Sequence, residues 1–197
     1  MSAFHSPARP VLQLEPLRLG NVGQFEDLLG GDEFGGCFCA VWTAHGADWV
    51  ARCSDPARPN LEVTRRRVAA GEHVGFVVSE DDAVVAWTGS GPKTRFPLLA
   101  SKLGSRLSPL SPDVWSIGCV AVRARSRGVA LPEQIVRAVA DLAGAAGAKA
   151  VEAYPTRPWD EPRSYRGSHR MYERLGFREI GAERDGTTEV LLVRLDL

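Results

Sequence analysis

The sequence predicts a mixed α/β (α+β) fold, and three stretches carry that prediction. "HVGFVVSEDDAVVAWTGSG" (73–91) sets two apolar runs on either side of Glu80, Asp81 and Asp82, the pattern of a β-hairpin. "VWSIGCVAVRA" (114–124) is a strand, and from Leu131 the apolar positions Ile135, Val139, Leu142 and Ala146 recur at helical spacing, giving a strand-turn-helix unit. "FREIGAERDGTTEVLLVRLDL" (177–197) closes the chain with two strands about Asp185 and Gly186. Hairpins supply neighbouring strands and the helix supplies a crossover, so both connection types share one sheet.

In chain order, a polar tail (1–10) precedes "VLQLEPLRL", which alternates as a first strand ending near Pro16. "NVGQFEDLLGG" reads as a helix with Asn21 as N-cap, Gln24 completing a capping box and Gly30 as the stop; Phe25, Leu28 and Leu29 form its buried face. From Asp32 to Asn60, Gly35, Gly36, Pro56 and Pro59 interrupt the apolar centre "CFCAVW", which predicts a short strand or turn and then a loop. "NLEVTRRRVAAG" is a second helix, from an Asn60 cap to a Gly71 stop, with Arg65, Arg66 and Arg67 on its solvated face. Residues 92–113, with four prolines, form a long loop. Gly118, inside its strand, marks a bulge or a close backbone approach. Pro132 suits the first turn of the main helix and Gly147 its end; "AKAVEAYP" is a strand, "TRPWDEPRSYRG" a loop and "SHRMYERLGF" a short helix stopped at Gly176.

Composition removes several function classes. The 197 residues, 44% hydrophobic and 24% charged, suit one globular domain over 11–197. Twenty-four basic and 24 acidic residues cancel, and no aromatic-basic stripe is visible, so neither nucleic acid nor an anionic membrane is an expected partner. Without a long apolar run or a signal core at the start, a cytoplasmic location is expected, with Cys37, Cys39, Cys53 and Cys119 as reduced thiols.

The junction "CVAVRARSRGVALP" (119–132) carries the chemistry. The first N–H groups of a helix lack partners and bear the positive end of its dipole, so an anion fits there. Gly128 and Ala130 keep side chains clear of those N–H groups, and Arg125 and Arg127 add charge, which suits a pyrophosphate. GxxxxGK[ST] is missing, and so is GxGxxG with its distant acidic residue, which argues against ATP and NAD.

"RSRGVA" matches [Q/R]-x-x-G-x-[G/A], and "SHRMYERLGF" matches a Tyr, a short charged run and then Gly-Phe; on these the chain resembles the GNAT superfamily of acetyl-CoA-dependent N-acetyltransferases. "VWSIGCVAV", "AVEAYP" and the Cys-aromatic-Cys element "CFC" also resemble one bacterial subgroup of it. The resemblance in element order spans roughly 11–196. It implies a mostly antiparallel central sheet of about six to seven strands, flanked by about four helices and splayed at the acetyl-CoA site. It further implies that the segment from Arg125 to Ala130 wraps the CoA pyrophosphate, largely through the N–H groups of Arg127, Gly128, Val129 and Ala130. Along the strand Val120–Ala121–Val122, Val120 and Val122 would offer main-chain groups to the pantetheine arm.

Acetyl transfer to an amine needs an acid for the departing thiolate, an oxyanion donor and a neutral nucleophile. The resemblance nominates Tyr172 as the acid, beside the reading of a core aromatic packed on Phe177. A main-chain N–H near Val120 would be the oxyanion donor. Glu152, flanked by apolar neighbours in "AKAVEAYP", is the candidate base, against a rim carboxylate paired with an arginine; Asp160 and Glu161 follow it. Cys119 poses an acyl-cysteine route against a small buried strand residue, and no His is placed to activate it. Cys37 and Cys39 share a side if "CFC" is extended, and with Cys53 and His45 raise zinc, but the spacing fits no familiar site and no metal is expected. Arg166, His169 and Arg170 could meet an anionic acceptor, the CoA 3′-phosphate or solvent. Trp42, Trp49, Trp87 and Trp115 suit core or pocket wall, and Trp159 a lid over the acceptor.

The expected activity is therefore acetyl transfer from acetyl-CoA to a primary amine in a ternary complex, the alternative being a non-catalytic acyl-CoA-binding or sensing module. The acceptor, a small-molecule or protein amine, would be chosen by segments 32–60, 92–113 and 155–167. A monomer and a homodimer through the terminal strands both fit this layout.

Overall fold

The computed structural model describes residues 12–31, 33–43, 50–72, 75–101, 108–128, 130–159, 165–185 and 187–197. The expected tail and the candidate positions Val129, His45, Trp49, Asp160 and Glu161 lie outside them. Among the described residues eight strands form one sheet: β1 (Leu12–Pro16), β2 (Phe76–Glu80), β3 (Ala83–Pro92), β4 (Val114–Val122), β5 (Ala150–Ala153), β6 (Thr156–Arg157), β7 (Arg178–Asp185) and β8 (Thr188–Asp196). Their order is β1-β2-β3-β4-β5-β8-β6, with β7 also on β8. Every pairing is antiparallel except β4 with β5, where the main helix forces a parallel return. The two-residue β6, on β8, is the addition to the expected six to seven strands.

The helices of six or more residues are α1 (Val22–Leu29), α3 (Pro59–Ala69), α5 (Ala130–Ala145) and α6 (His169–Arg174), with single turns α2 (Ala40–Thr43) and α4 (Leu98–Ser101). Strand alternation sorts the core into two layers. Val120 and Val122 of β4, with Leu191 and Val193 of β8, face Ile135, Val136 and Val139 of α5. Cys119 and Ala121, with Val190 and Leu192, face Phe25 and Leu28 of α1, Trp42 of α2 and Leu61 of α3.

The hairpin turn is built on Asp81 (φ 47°) and Asp82 (φ 66°), two left-handed residues in succession, which matches the twist of the strands it joins. Two local expectations are corrected, and the strand-or-turn alternative at "CFC" is decided for the turn. Asn21 makes no capping bond to α1; its Oδ1 accepts from the Arg18 N–H (2.7 Å) and its Nδ2 donates to the Pro16 carbonyl (3.1 Å), so it locks the β1–α1 turn instead. Asn60 lies inside α3, because Pro59 already starts that helix. "CFC" is not extended: Phe38 (φ 43°) and Cys39 (φ 61°) are left-handed, and the Phe38 carbonyl is held by Thr64 Oγ1 at 2.9 Å.

Candidate active site

Strands β4 and β5 pair only from Val114↔Ala150 to Ile117↔Ala153. β4 then runs on to Val122 alone on that side, so the sheet splays where a bulge also falls. Gly89 pairs with Cys119 and Ser90 with Ile117, which leaves Gly118 as the extra residue. A Cβ on Gly118 would lie 2.8 Å from the Trp42 ring, so only glycine lets that indole back the splay.

Beyond the bulge, Val120 turns its N–H away from β3 and into the gap, as alternation along an antiparallel pair requires. That N–H donates to the Tyr165 carbonyl at 2.6 Å. The Val122 carbonyl accepts from Arg127 Nε at 3.0 Å. Next comes the loop 124–128, opened by a 3₁₀ turn at Ala124–Ser126, and then α5. Arg125, Arg127 and Gly128 are exposed, and a Cβ on Gly128 would meet nothing within 4 Å. Glu33 leans over this loop: its Oε2 accepts from the Ala124 N–H at 2.8 Å and lies 3.4 Å from the Arg127 guanidinium. Ala121 points the other way, into the α1–α3 layer.

Tyr172 sits on the α5 side of the gap with no exposed surface. Ser168 caps its helix by accepting from the Met171 N–H. The phenol donates to the Arg166 carbonyl at 2.9 Å, while the ring meets Phe177 edge-on at 5.1 Å, so core packing and a directed hydroxyl coexist. Burial pushes its ionisation well up, which keeps the proton on the oxygen.

Glu152 faces the opposite layer and is fully buried. Its Oε2 accepts from Lys93 Nζ (2.7 Å) and, more loosely, from Tyr154 (3.4 Å); its Oε1 accepts from Ser108 Oγ (2.5 Å) and Arg194 (3.3 Å). Tyr154 in turn shares a 2.9 Å bond with Ser116, so a polar chain runs from Lys93 to the last paired turn of the splay. Desolvation and the neighbouring carboxylate push the Tyr154 phenol well up. Lys93, wholly buried, was invisible in "GPKTR".

Cys39 and Cys119 meet across the α1–α3 layer, beside Trp87, whose Nε1 donates to Cys39 Sγ at 3.3 Å. The bond to Cys39, together with burial, pushes the Cys119 thiol up, whereas the bonds that Cys39 receives from Cys119 and Trp87 pull it down. A protonated Cys119 held this way is not a nucleophile, so the packing reading of that residue is the one its surroundings support. Among the described residues no group of three or more His, Cys, Asp or Glu stands where it could hold a metal ion, and no helix is long and apolar enough to cross a membrane. Arg166 lies over the Trp42 ring at 5.2 Å, His169 stands 3.5 Å from Glu179, Arg170 is exposed, and Trp159 is 45% exposed.

Comparison with known proteins bears on this geometry. The model of the acetyltransferase (GNAT) family matches residues 39–177, from the α2 approach through β4, α5 and α6. No curated protein sequence matches the chain. Among solved structures, the aminoglycoside acetyltransferase AAC(6')-Ib in complex with coenzyme A superposes with a TM-score of 0.62 at 16% identity, covering 94% of this chain and 95% of that one. An acetyltransferase of the GNAT family from Listeria monocytogenes gives 0.60 at 12% identity, with 95% of each chain covered. An agmatine N-acetyltransferase in its apo form gives 0.57 at 16% identity, covering 95% of this chain and all (100%) of that one. At such identities the likeness is one of fold, and with a family model spanning the splay, the loop 124–128 and the Tyr172 helix, this chain belongs to the GNAT acetyltransferase family.

Proposed function

We propose that the protein transfers an acetyl group from acetyl-CoA to a primary amine by direct attack in a ternary complex. The observation that carries this is the parting of β4 from β5 after Ile117, which leaves the Val120 and Val122 main chain facing a gap that leads straight into the loop 124–128 and α5. In this reading the pantetheine arm lies along Val120–Ala121–Val122. The segment Arg125, Arg127, Gly128, Val129 and Ala130 holds the pyrophosphate through main-chain N–H groups and the two guanidinium groups. The absence of a Cβ contact at Gly128 supports it, since the backbone there is open to a bulky anion.

Bound acetyl-CoA would supply an activated acyl group and a thiolate leaving group. Tyr172 holds the proton that the thiolate needs, on a phenol that burial keeps protonated across the neutral range. For the proton that the amine sheds, Glu152 is the acceptor; it has no exposed surface, so the Ser116 and Tyr154 hydroxyls are its route to the splay. Two of the structural relatives are named for an aminoglycoside and for agmatine, both amines, which supports an amine acceptor here.

The test is calorimetric titration of the wild type and Gly128→Glu with CoA and acetyl-CoA. Because the added side chain meets nothing in the fold, the variant should stay folded and lose binding. Equal affinity in both proteins overturns the assignment of the phosphate loop, and no binding to the wild type removes the donor altogether.

A further inference from the structure

Groups that this reading assigns to acetyl-CoA are satisfied from within the chain at both ends of its path, and by a connected set of residues. Val120 N–H, the oxyanion donor, is taken by the Tyr165 carbonyl at 2.6 Å. Tyr172 OH, the acid, is taken by the next carbonyl, that of Arg166, at 2.9 Å. Two consecutive backbone oxygens therefore stand in for the thioester oxygen and the departing sulfur. At the other end of the path, the Glu33 carboxylate accepts from the Ala124 N–H (2.8 Å) and lies 3.4 Å from the Arg127 guanidinium, where an anion would sit. A crossbar joins the two mimics: the Tyr165 hydroxyl donates to the Glu33 carbonyl at 2.6 Å, and its ring packs 5.7 Å from Phe34.

The segment Tyr165–Gly167 threads the splay from one layer to the other. Tyr165 packs against the α1–α3 layer, while Tyr172 belongs to the α5 layer. Gly167, at φ +76°, makes that passage. A Cβ there would lie 2.6 Å from Met171 Cε and 3.2 Å from the Tyr172 oxygen, so no other residue brings the strap so close to the acid.

The geometry points to a latch: Glu33 and the Tyr165–Arg166 strap occupy the donor path, and acetyl-CoA binds only by displacing both. Buried polar groups must be partnered, and a cleft lined with unpaired N–H and O–H groups would be costly to keep empty. The latch supplies those partners and returns them when the donor arrives. Its cost appears in the affinity, because the apparent dissociation constant is the intrinsic one divided by the unlatched fraction. The inference rests on the acetyl-CoA reading above.

The discriminating variant is Tyr165→Phe, which removes the crossbar hydroxyl and changes no charge. Calorimetry with CoA should show its Kd fall about three- to tenfold below that of the wild type as the unlatched fraction rises. Hydrogen–deuterium exchange provides the second readout: adding CoA to the wild type should slow exchange in 119–128 but speed it in 165–168, where an ordinary closing loop would become protected. An unchanged or raised Kd in Tyr165→Phe, or protection of 165–168 on CoA addition, refutes the latch while leaving the donor assignment standing. Failure of both proteins to bind CoA refutes the donor assignment itself.

Discussion

Lys93→Met should be among the most destabilising single changes in the molecule, and the buried network sets its size. Lys93 Nζ donates to Glu152 Oε2 (2.7 Å), the Ser108 carbonyl (2.7 Å) and Ser108 Oγ (3.0 Å), so all three of its protons are used, and neither ion has exposed surface. Methionine fills a similar volume but strands a carboxylate and a carbonyl. Breaking a buried pair on one side costs about 3–5 kcal/mol, because the remaining charge stays desolvated. Glu152 keeps Ser108, and Arg194 at 3.3 Å, itself 28% exposed, which places the loss near the lower end, about 3 kcal/mol. For a chain of this length that corresponds to a melting temperature lower by about 6–12 °C. Urea denaturation followed by far-UV circular dichroism measures it, with an unchanged m-value marking a stability effect. The double variant Lys93→Met, Glu152→Gln removes both charges and should be more stable than the sum of the two single losses allows. A cost for Lys93→Met below about 1 kcal/mol, or strict additivity in the double variant, refutes the claim that the pair is desolvated and coupled.

Tyr172→Phe should bind CoA no more weakly than the wild type, since it also gives up one contact of the strap, yet lose about 10²- to 10⁴-fold in kcat; equal kcat in the two proteins would remove the phenol from the proton step. Cys37 gives a pH-dependent stability. Burial above all, and then the thiol of Cys39, push it up to about 12 from the 9.0 of an ordinary thiol. Its folded-state value lies above the unfolded one, so the contribution is complete below pH 9 and is lost as pH rises towards 12. Urea titrations should show wild type losing about 1 kcal/mol more than Cys37→Ala between pH 9 and 10, and parallel losses in the two would show that the thiol is not held in its neutral form.

The parts of this fold that were legible in the sequence are those dictated by local rules. The 73–91 hairpin, the helical repeat after Leu131 and the terminal strand pair each follow from period and turn chemistry, and β2, β3, α5, β7 and β8 lie where those rules put them. Gly118 marked the bulge because glycine has little reason to stand in a strand otherwise. Segment 32–60 was opaque, since two left-handed non-glycine residues at Phe38 and Cys39 obey tertiary demands that no propensity records. Asn21 and Asn60 looked like caps because they precede helical periods; one bonds backwards along the chain and the other is overtaken by Pro59.

The candidate site divides in the same way. The strand-turn-helix junction after Val114 and the short helix that carries Tyr172 were visible as short contiguous patterns. Lys93 was not, because a lysine between proline and threonine reads as solvated until residues 59 positions apart meet. Glu33 and Tyr165 were missed as well, since their part in the site is played by main-chain oxygens and one long-range carboxylate contact, and a backbone carbonyl has no letter in the sequence.

The four-residue seam between β4 and β5 has a consequence for how the chain is made. Strands β1 to β4 pair in sequence order, each with a partner already synthesised, and that half of the sheet can assemble progressively on the ribosome. β5 is held on one side by β4 over four residue pairs, and on the other by β8, whose Asp196 is the partner of Ala150. Until β8 emerges, the free edge of β5 is bare and ready to pair with another nascent chain. Ribosomes stalled between β5 and β8 should therefore release a product that aggregates through Ala150–Ala153, and delayed synthesis there would threaten yield more than delay anywhere in the first 120 residues.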